Sequence, residues 1–245
     1  MTFIGVFYEK TVGVAISLLL MANALFAQAK SLDKNNAYYV YLKGTNTKIT
    51  DEEYLNYAKV VEKDTYDKYI NDEFEWEEQF GLLKEKFNKS IQDADLESEY
   101  TIVTSVEFGD YNFTNEGFPV SIGEGTFFPL NKFYNYYEAS ANSLFRKAVA
   151  FKLDSFEKYN FFAMPKSDAK SFLQGRKYSN GSVNREVTLQ ITYKIAGFDS
   201  KEYKNFKNLA LSNDYLPIVG IIEKIEVFDA ADSRKVKKIG ELIKK

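Results

Sequence analysis

The sequence contains neither histidine nor cysteine, and it spends only four prolines and one tryptophan on 245 residues. Without imidazole there is no Ser-His-Asp triad and no histidine metal ligand. Without thiol there is no disulfide, thiolate nucleophile, thiolate zinc site or lipid-modified cysteine. Neither sign of charge dominates: 32 basic against 35 acidic side chains leave a net charge of −3, which gives no field to draw in DNA or an anionic membrane. Nucleic acid is not an expected partner. Any catalysis would fall to carboxylate, lysine, tyrosine or hydroxyl groups.

What is present describes a chain that folds. A hydrophobic content of 45% with 27% charged residues is that of a packed domain, far from the disordered range. The aromatic content of 16% looks like a signal for ligand stacking. Lysine, however, outnumbers arginine 28 to 4 and asparagine is abundant, a bias that an AT-rich genome imposes without any functional cause.

Residues Thr11 to Ala22 form an uncharged apolar run, preceded by Lys10 and followed by Ala27-Gln28-Ala29, with small residues at both positions that a signal peptidase reads. Residues 1–29 therefore read as a secretory signal peptide cleaved after Ala29, which places the mature protein in the periplasm or outside the cell. The competing reading is a retained anchor, which 17 apolar residues interrupted by Asn23 make only at the short limit of a span of about 20. After cleavage no membrane span is expected. Three sequons, at Asn88, Asn112 and Asn180, matter only in a glycosylating host.

The remaining chain divides into a polar lead-in over residues 30–49, with a short strand expected at Tyr38 to Leu42, and one domain over residues 50–245. Thr50 and Glu53 form a capping box, after which Tyr54, Ala58, Val61, Thr65 and Tyr69 recur at helical spacing. A break at Asn71-Asp72, either of which can cap, precedes a second stripe of Trp76, Phe80, Leu83, Phe87 and Ile91. This stripe is expected to be core, so that Phe80→Ala would cost about 3–5 kcal/mol. Residues 100–108 are β-branched and read as a strand, with 111–113 resuming it beyond a turn, and residues 117–129 are cut by glycine and proline into turns and short strands. Residues 131–145 are aromatic without a clear period. Strands are expected at 147–156 and 159–164, then a short helix capped by Ser167 and ended by Gly175.

The surest strand is REVTLQITYKI, in which Val187, Leu189, Ile191, Tyr193 and Ile195 alternate with Glu186, Thr188, Gln190, Thr192 and Lys194, half buried and half wet. Residues 216–228 form another, turned at 229–233 into a partner at 234–242. Helices followed by strands, with one short helix between the later strands, give an α+β fold on a mainly antiparallel sheet.

Four clusters could carry chemistry. Glu75 and Glu78 flank Trp76 as the carboxylate pair of a glycosidase flanks a stacked sugar, but on a helix they simply complete a solvated face. Asp93, Asp95, Glu97 and Glu99 are spaced as in a calcium loop, but the glycine and glutamate of an EF-hand are missing. The Gly123-x-Gly125 pair lacks the strand-to-helix context of a phosphate loop, and Ser167 to Lys170 reads as a helix start rather than a nucleophile motif. No catalytic, cofactor-binding or metal residue is assigned, and no cofactor is called for.

Four segments carry a resemblance: NDEFEW (Asn71 to Trp76), GFPV (Gly117 to Val120), AMPKSDAKSFL ahead of REVTLQI, and IEKIEVFD (Ile222 to Asp229). In this order they resemble a family of uncharacterised exported bacterial proteins known as a domain of unknown function. The resemblance implies a bacterial envelope or secreted protein and carries over no catalytic residue. The leading expectation is a non-catalytic binding or assembly domain whose partner is an envelope protein or glycan. The rivals are a carboxylate-dependent hydrolase of an envelope glycan and a membrane-anchored periplasmic domain.

Overall fold

The computed structural model describes residues 30–123, 126–129, 148–198, 215–230 and 236–244; the proposed signal segment, residues 131–145 and most of the turn at 229–233 lie outside them. Helices α1 (Lys34–Thr45), α2 (Asp51–Val60), α3 (Lys63–Tyr69) and α4 (Glu73–Asp93) come first. Strands β1 (Glu99–Glu107), β2 (Gly117–Pro119), β3 (Phe127–Pro129), β4 (Ala148–Asp154) and β5 (Phe161–Ala163) follow, then α5 (Lys166–Gln174), β6 (Glu186–Gly197), β7 (Tyr215–Asp229) and β8 (Lys237–Leu242). The fold is α+β, as the pattern predicts.

The main sheet runs β1-β6-β7-β4-β3, with β8 also on β7. All its pairs are antiparallel except β4 with β7. The 15-residue β7 thus gives one edge to β6 and divides the other, its first half taking β4 and its second half β8. Ile218, Gly220 and Ile222 are buried in the first half, Ile225 and Val227 in the second. The parity changes because the register slips at Glu223: Tyr193 faces Ile222 while Thr192 faces Lys224. This β-bulge keeps both apolar sets on one face, where an unbroken alternation would have turned the second set to the opposite side. Gly220 is needed there, since a Cβ would lie 2.6 Å from the Tyr193 ring and 3.0 Å from Leu153.

The polar face of β6 is drier than alternation predicts. Gln190 and Thr192 are 7% and 3% exposed, because a central strand is walled by its neighbours on both sides.

Residues 38–42 are helical, not a strand. Asp33 caps α1 by accepting from the backbone N–H groups of Asn35 and Asn36 at 2.8 and 2.9 Å, and Asn46 closes it in the left-handed region at φ 50°. Ala37, Tyr38, Tyr39, Val40 and Leu42 are all buried, with α1 lying against β4 and β7 on one side and α4 on another. The strand-forming preference of AYYVYL is overridden by that burial.

The capping box of Thr50 and Glu53 is present, and Asp72 caps α4 through Phe74 and Glu75 N–H. The single helix expected between them is split near Glu62 into α2 and α3. Residues 111–113 do not resume a strand: Asn112 Oδ1 accepts from the Thr114 and Asn115 N–H groups at 3.0 and 2.9 Å, making a turn. Pro165, not Ser167, occupies the N-cap of α5, and the Ser167 hydroxyl turns instead to Asp168 at 3.1 Å.

Within the α4 stripe only Leu83 and Phe87 are buried, while Trp76, Phe80 and Ile91 sit at the rim. Phe87 is ringed by Tyr39, Tyr54 and Tyr57, with centroids 5.7, 5.6 and 4.7 Å away. Phe80 stacks on Trp76 at 5.1 Å under the Lys84 ammonium, with part of its surface in water. The core cost expected at Phe80 therefore belongs to Phe87. Phe87→Ala should lower the unfolding free energy by about 3–5 kcal/mol, and Phe80→Ala by less than about half as much, since less apolar area leaves water there. Equal losses in paired urea melts would contradict this assignment.

Candidate functional site

Among the described residues a concavity lies where β5 meets β8. Phe108 stacks on Phe118 and Phe162 with centroids 4.9 and 5.1 Å away, which binds the small β2–β5 sheet to the end of β1. The bond from Met164 N–H to Glu116 O, 3.0 Å, and that from Tyr111 OH to Met164 O, 2.9 Å, fix the same unit. Gly240 of β8 then passes over Phe162 so closely that a Cβ would stand 2.8 Å from the ring. The result is an open groove of about 420 Å³ lined by Asn115, Phe161, Ala163, Glu241 and Ile243.

Its chemistry is plain. The Ile243 side chain is exposed at 74% and lies beside alanine and phenylalanine, with one amide and one carboxylate at the margin. That carboxylate, Glu241, accepts from Lys238 Nζ at 2.6 Å, and the same ammonium reaches Glu226 at 2.8 Å. Burial works to raise the Glu226 carboxyl, but the bonds from Lys238 and Lys224 outweigh it and hold the group below its ordinary value. Apolar surface with a few polar groups suits recognition. The two-carboxylate chemistry of a glycosidase would need a second carboxylate beside Glu241.

A buried cation sits at the end of α5. Arg176, just past α5, donates to Asn184 O at 3.2 Å, Glu186 O at 2.5 Å and Asp229 Oδ1 at 2.5 Å, and its guanidinium lies 4.4 Å from the Phe172 centroid. One side chain thus joins α5, the start of β6 and the end of β7, as the planar fork of arginine allows and a lysine does not. Arg185 repeats the device, donating to Gly109 O at 2.7 Å and pairing with Asp110 at 3.1 Å.

The clusters singled out from sequence fall elsewhere. Glu75 and Glu78 are exposed on α4, on its solvated side. In the Asp93 to Glu99 run the carboxylates diverge: Asp93 pairs with Lys89, Glu99 with Lys194, and Asp95 serves the joint between α4 and β1. Among the described residues no group of three acidic side chains is placed to hold a metal ion. The Gly123 carbonyl accepts from the Thr126 hydroxyl at 2.7 Å, while Gly125 lies outside the described residues. Ser167 and Lys170 are exposed on α5.

Residues 50–175, about half the chain, match the family described as a domain of unknown function, DUF4852. The chain belongs to that family. The matched span takes in the NDEFEW, GFPV and AMPKSDAKSFL segments and runs from α2 to the end of α5, so α1, β6, β7 and β8 lie beyond it. Neither a curated protein nor a solved structure matches the chain.

Sequence reasoning did not find the groove, whose residues come from positions 115 to 243 and carry no marked chemistry. It also passed over Arg176. The usable signal was scarcity, since an arginine kept in a chain that otherwise uses lysine is worth locating.

Asp95 supplies a pH dependence. Its carboxylate accepts from Ser98 Oγ, from Glu97 and Ser98 N–H at 2.9 and 3.0 Å, and from Lys30 Nζ at 3.1 Å. These bonds, led by that from Ser98, hold its pKa well below the usual carboxylate value. Because the folded value is depressed, the stabilisation is complete above the unfolded pKa of about 4 and is lost as pH falls toward the folded one. Wild type should therefore lose stability more steeply than Asp95→Asn below about pH 4. Parallel acid limbs in urea melts would show that the joint does not depend on the charge.

Proposed function

We propose that this chain is an exported protein of the bacterial envelope whose domain works by binding or assembly, with the β5–β8 groove as its contact site and an envelope protein or glycan as its partner. The groove carries the reading: its lining offers apolar side chains, one amide and a single carboxylate already engaged by lysine. Such a lining can hold a ligand, and among the described residues it lacks the carboxylate pair with which a glycan hydrolase works. The signal-like pattern of residues 1–29 supports export. The first described residue, Lys30, is already tied to the fold, pairing with Tyr100 in parallel and with Asp95 by charge. A membrane span is not needed for the reading, and among the described residues no helix is long and apolar enough to cross one.

A photocrosslinking side chain at Ile243, expressed in the native host, tests both parts. The expected result is a mature N-terminus at Lys30 and an adduct with an envelope component that disappears when Ala163→Arg fills the groove. Release of soluble sugar from envelope glycan by the purified protein would overturn the non-catalytic reading, and an intact N-terminus in the cytosol would overturn export.

A further inference from the structure

On a different surface, the outer side of α4 leaves apolar side chains in water. Phe74 is 88% and Leu82 53% exposed, two large apolar side chains on one helix. Between them is Gly81, in the middle of a 21-residue helix, where a Cβ would meet nothing within 4 Å. Glycine there weakens the helix relative to alanine, and no neighbour within the described fold requires its small size. A second backbone approaching at that point would require it, as happens where helices cross closely at small residues.

The charges say what kind of backbone. On a helix the neighbours of Gly81 are Glu77, Glu78, Lys84 and Glu85. Lys84 is drawn away to Asp51 at 2.8 Å, and the next two lysines, Lys86 and Lys89, are taken by Glu62 at 2.6 Å and Asp93 at 2.8 Å. Glu77, Glu78 and Glu85 are exposed and without an ion pair among the described residues. The helix thus uses its own cations elsewhere and surrounds an apolar, backbone-accessible spot with uncompensated negative charge.

We propose that the Phe74–Gly81–Leu82 face of α4 docks a basic amphipathic helix of a partner protein, its apolar stripe on Phe74 and Leu82, its backbone close to Gly81, and its lysines or arginines toward the three glutamates. A second copy of this chain gains little by charge, since an antiparallel α4 pair crossing at Gly81 would set Glu77 against Glu85, and Lys84, which would face Glu78, is held by Asp51. An anionic bilayer is opposed by the same charges.

The probe is a synthetic helix of about 18 residues, long enough to be helical when bound, with leucine on one face and lysine on the other. Its control is the same composition in scrambled order. Titrated against the purified protein by isothermal calorimetry, the ordered peptide should bind saturably at one site, more weakly at high salt. Gly81→Leu, and Phe74→Ser with Leu82→Ser, should each weaken it by about tenfold or more, as loss of a central contact does. Gly81→Ala tests the steric part with the fold intact: its melting temperature should rise, while affinity falls less than with Gly81→Leu. Absence of saturable binding, equal affinity for the scrambled peptide, an unchanged affinity in Gly81→Leu, or binding instead to phosphatidylglycerol vesicles would overturn the proposal.

Discussion

The bulge at Glu223 is the constraint on which the architecture turns. A strand of 15 residues cannot keep one face apolar by simple alternation when its inward set changes from Ile218, Gly220 and Ile222 to Ile225 and Val227. One extra residue in β7 reconciles the two halves, and each half then seats a different partner. The first half holds β4 in parallel, which in turn holds β3, and the second holds β8 antiparallel. Because β8 is placed by the second half, so are Gly240 over Phe162 and the groove between β5 and β8.

A second, aromatic organisation connects what the sheet does not. Phe87 gathers Tyr39, Tyr54 and Tyr57 from α1 and α2, and Phe108 gathers Phe118, Phe162 and Phe172 from β2, β5 and α5. Edge and offset ring contacts of this kind add to burial. The buried tyrosines remain neutral hydroxyls: burial raises Tyr38, Tyr57 and Tyr193 above their ordinary range, and Tyr100 is pushed up to about 12. Aromatic side chains among the described residues thus serve packing.

Legibility from sequence followed locality. The caps at Thr50 with Glu53 and at Asp72, the helix carrying the Trp76 to Ile91 stripe and the strand β6 are signals contained in a few consecutive residues, and each of these elements forms. The stripe, however, is buried only at Leu83 and Phe87, and the polar face of β6 is dry at Gln190 and Thr192. The aromatic run of α1 misleads because helix or strand was decided by its docking on β4, β7 and α4, which no window of ten residues contains. Phe80 misleads because helical spacing places a side chain on a stripe but does not say where the neighbouring helices end. The groove was beyond reach for a related reason: Asn115, Ala163 and Glu241 meet only after β2, β5 and β8 are assembled. Membership of a family described as a domain of unknown function agrees with the resemblance carried by NDEFEW, GFPV and AMPKSDAKSFL, and it leaves the contact surfaces to be argued from the residues themselves.

If the bulge fixes the phase of β7, its removal and the removal of its side chain must differ. Glu223→Ala loses an exposed ion pair with Lys194, worth at most about 1 kcal/mol. Deleting Glu223 forces Ile225 and Val227 toward the wrong face or pulls β8 out of register. Amide hydrogen exchange of the two variants beside wild type measures this directly. The account predicts near-native protection throughout in Glu223→Ala, and loss of protection in β8 and the second half of β7 in the deletion. A deletion variant that regularises the ladder and keeps native protection in β8 would contradict it.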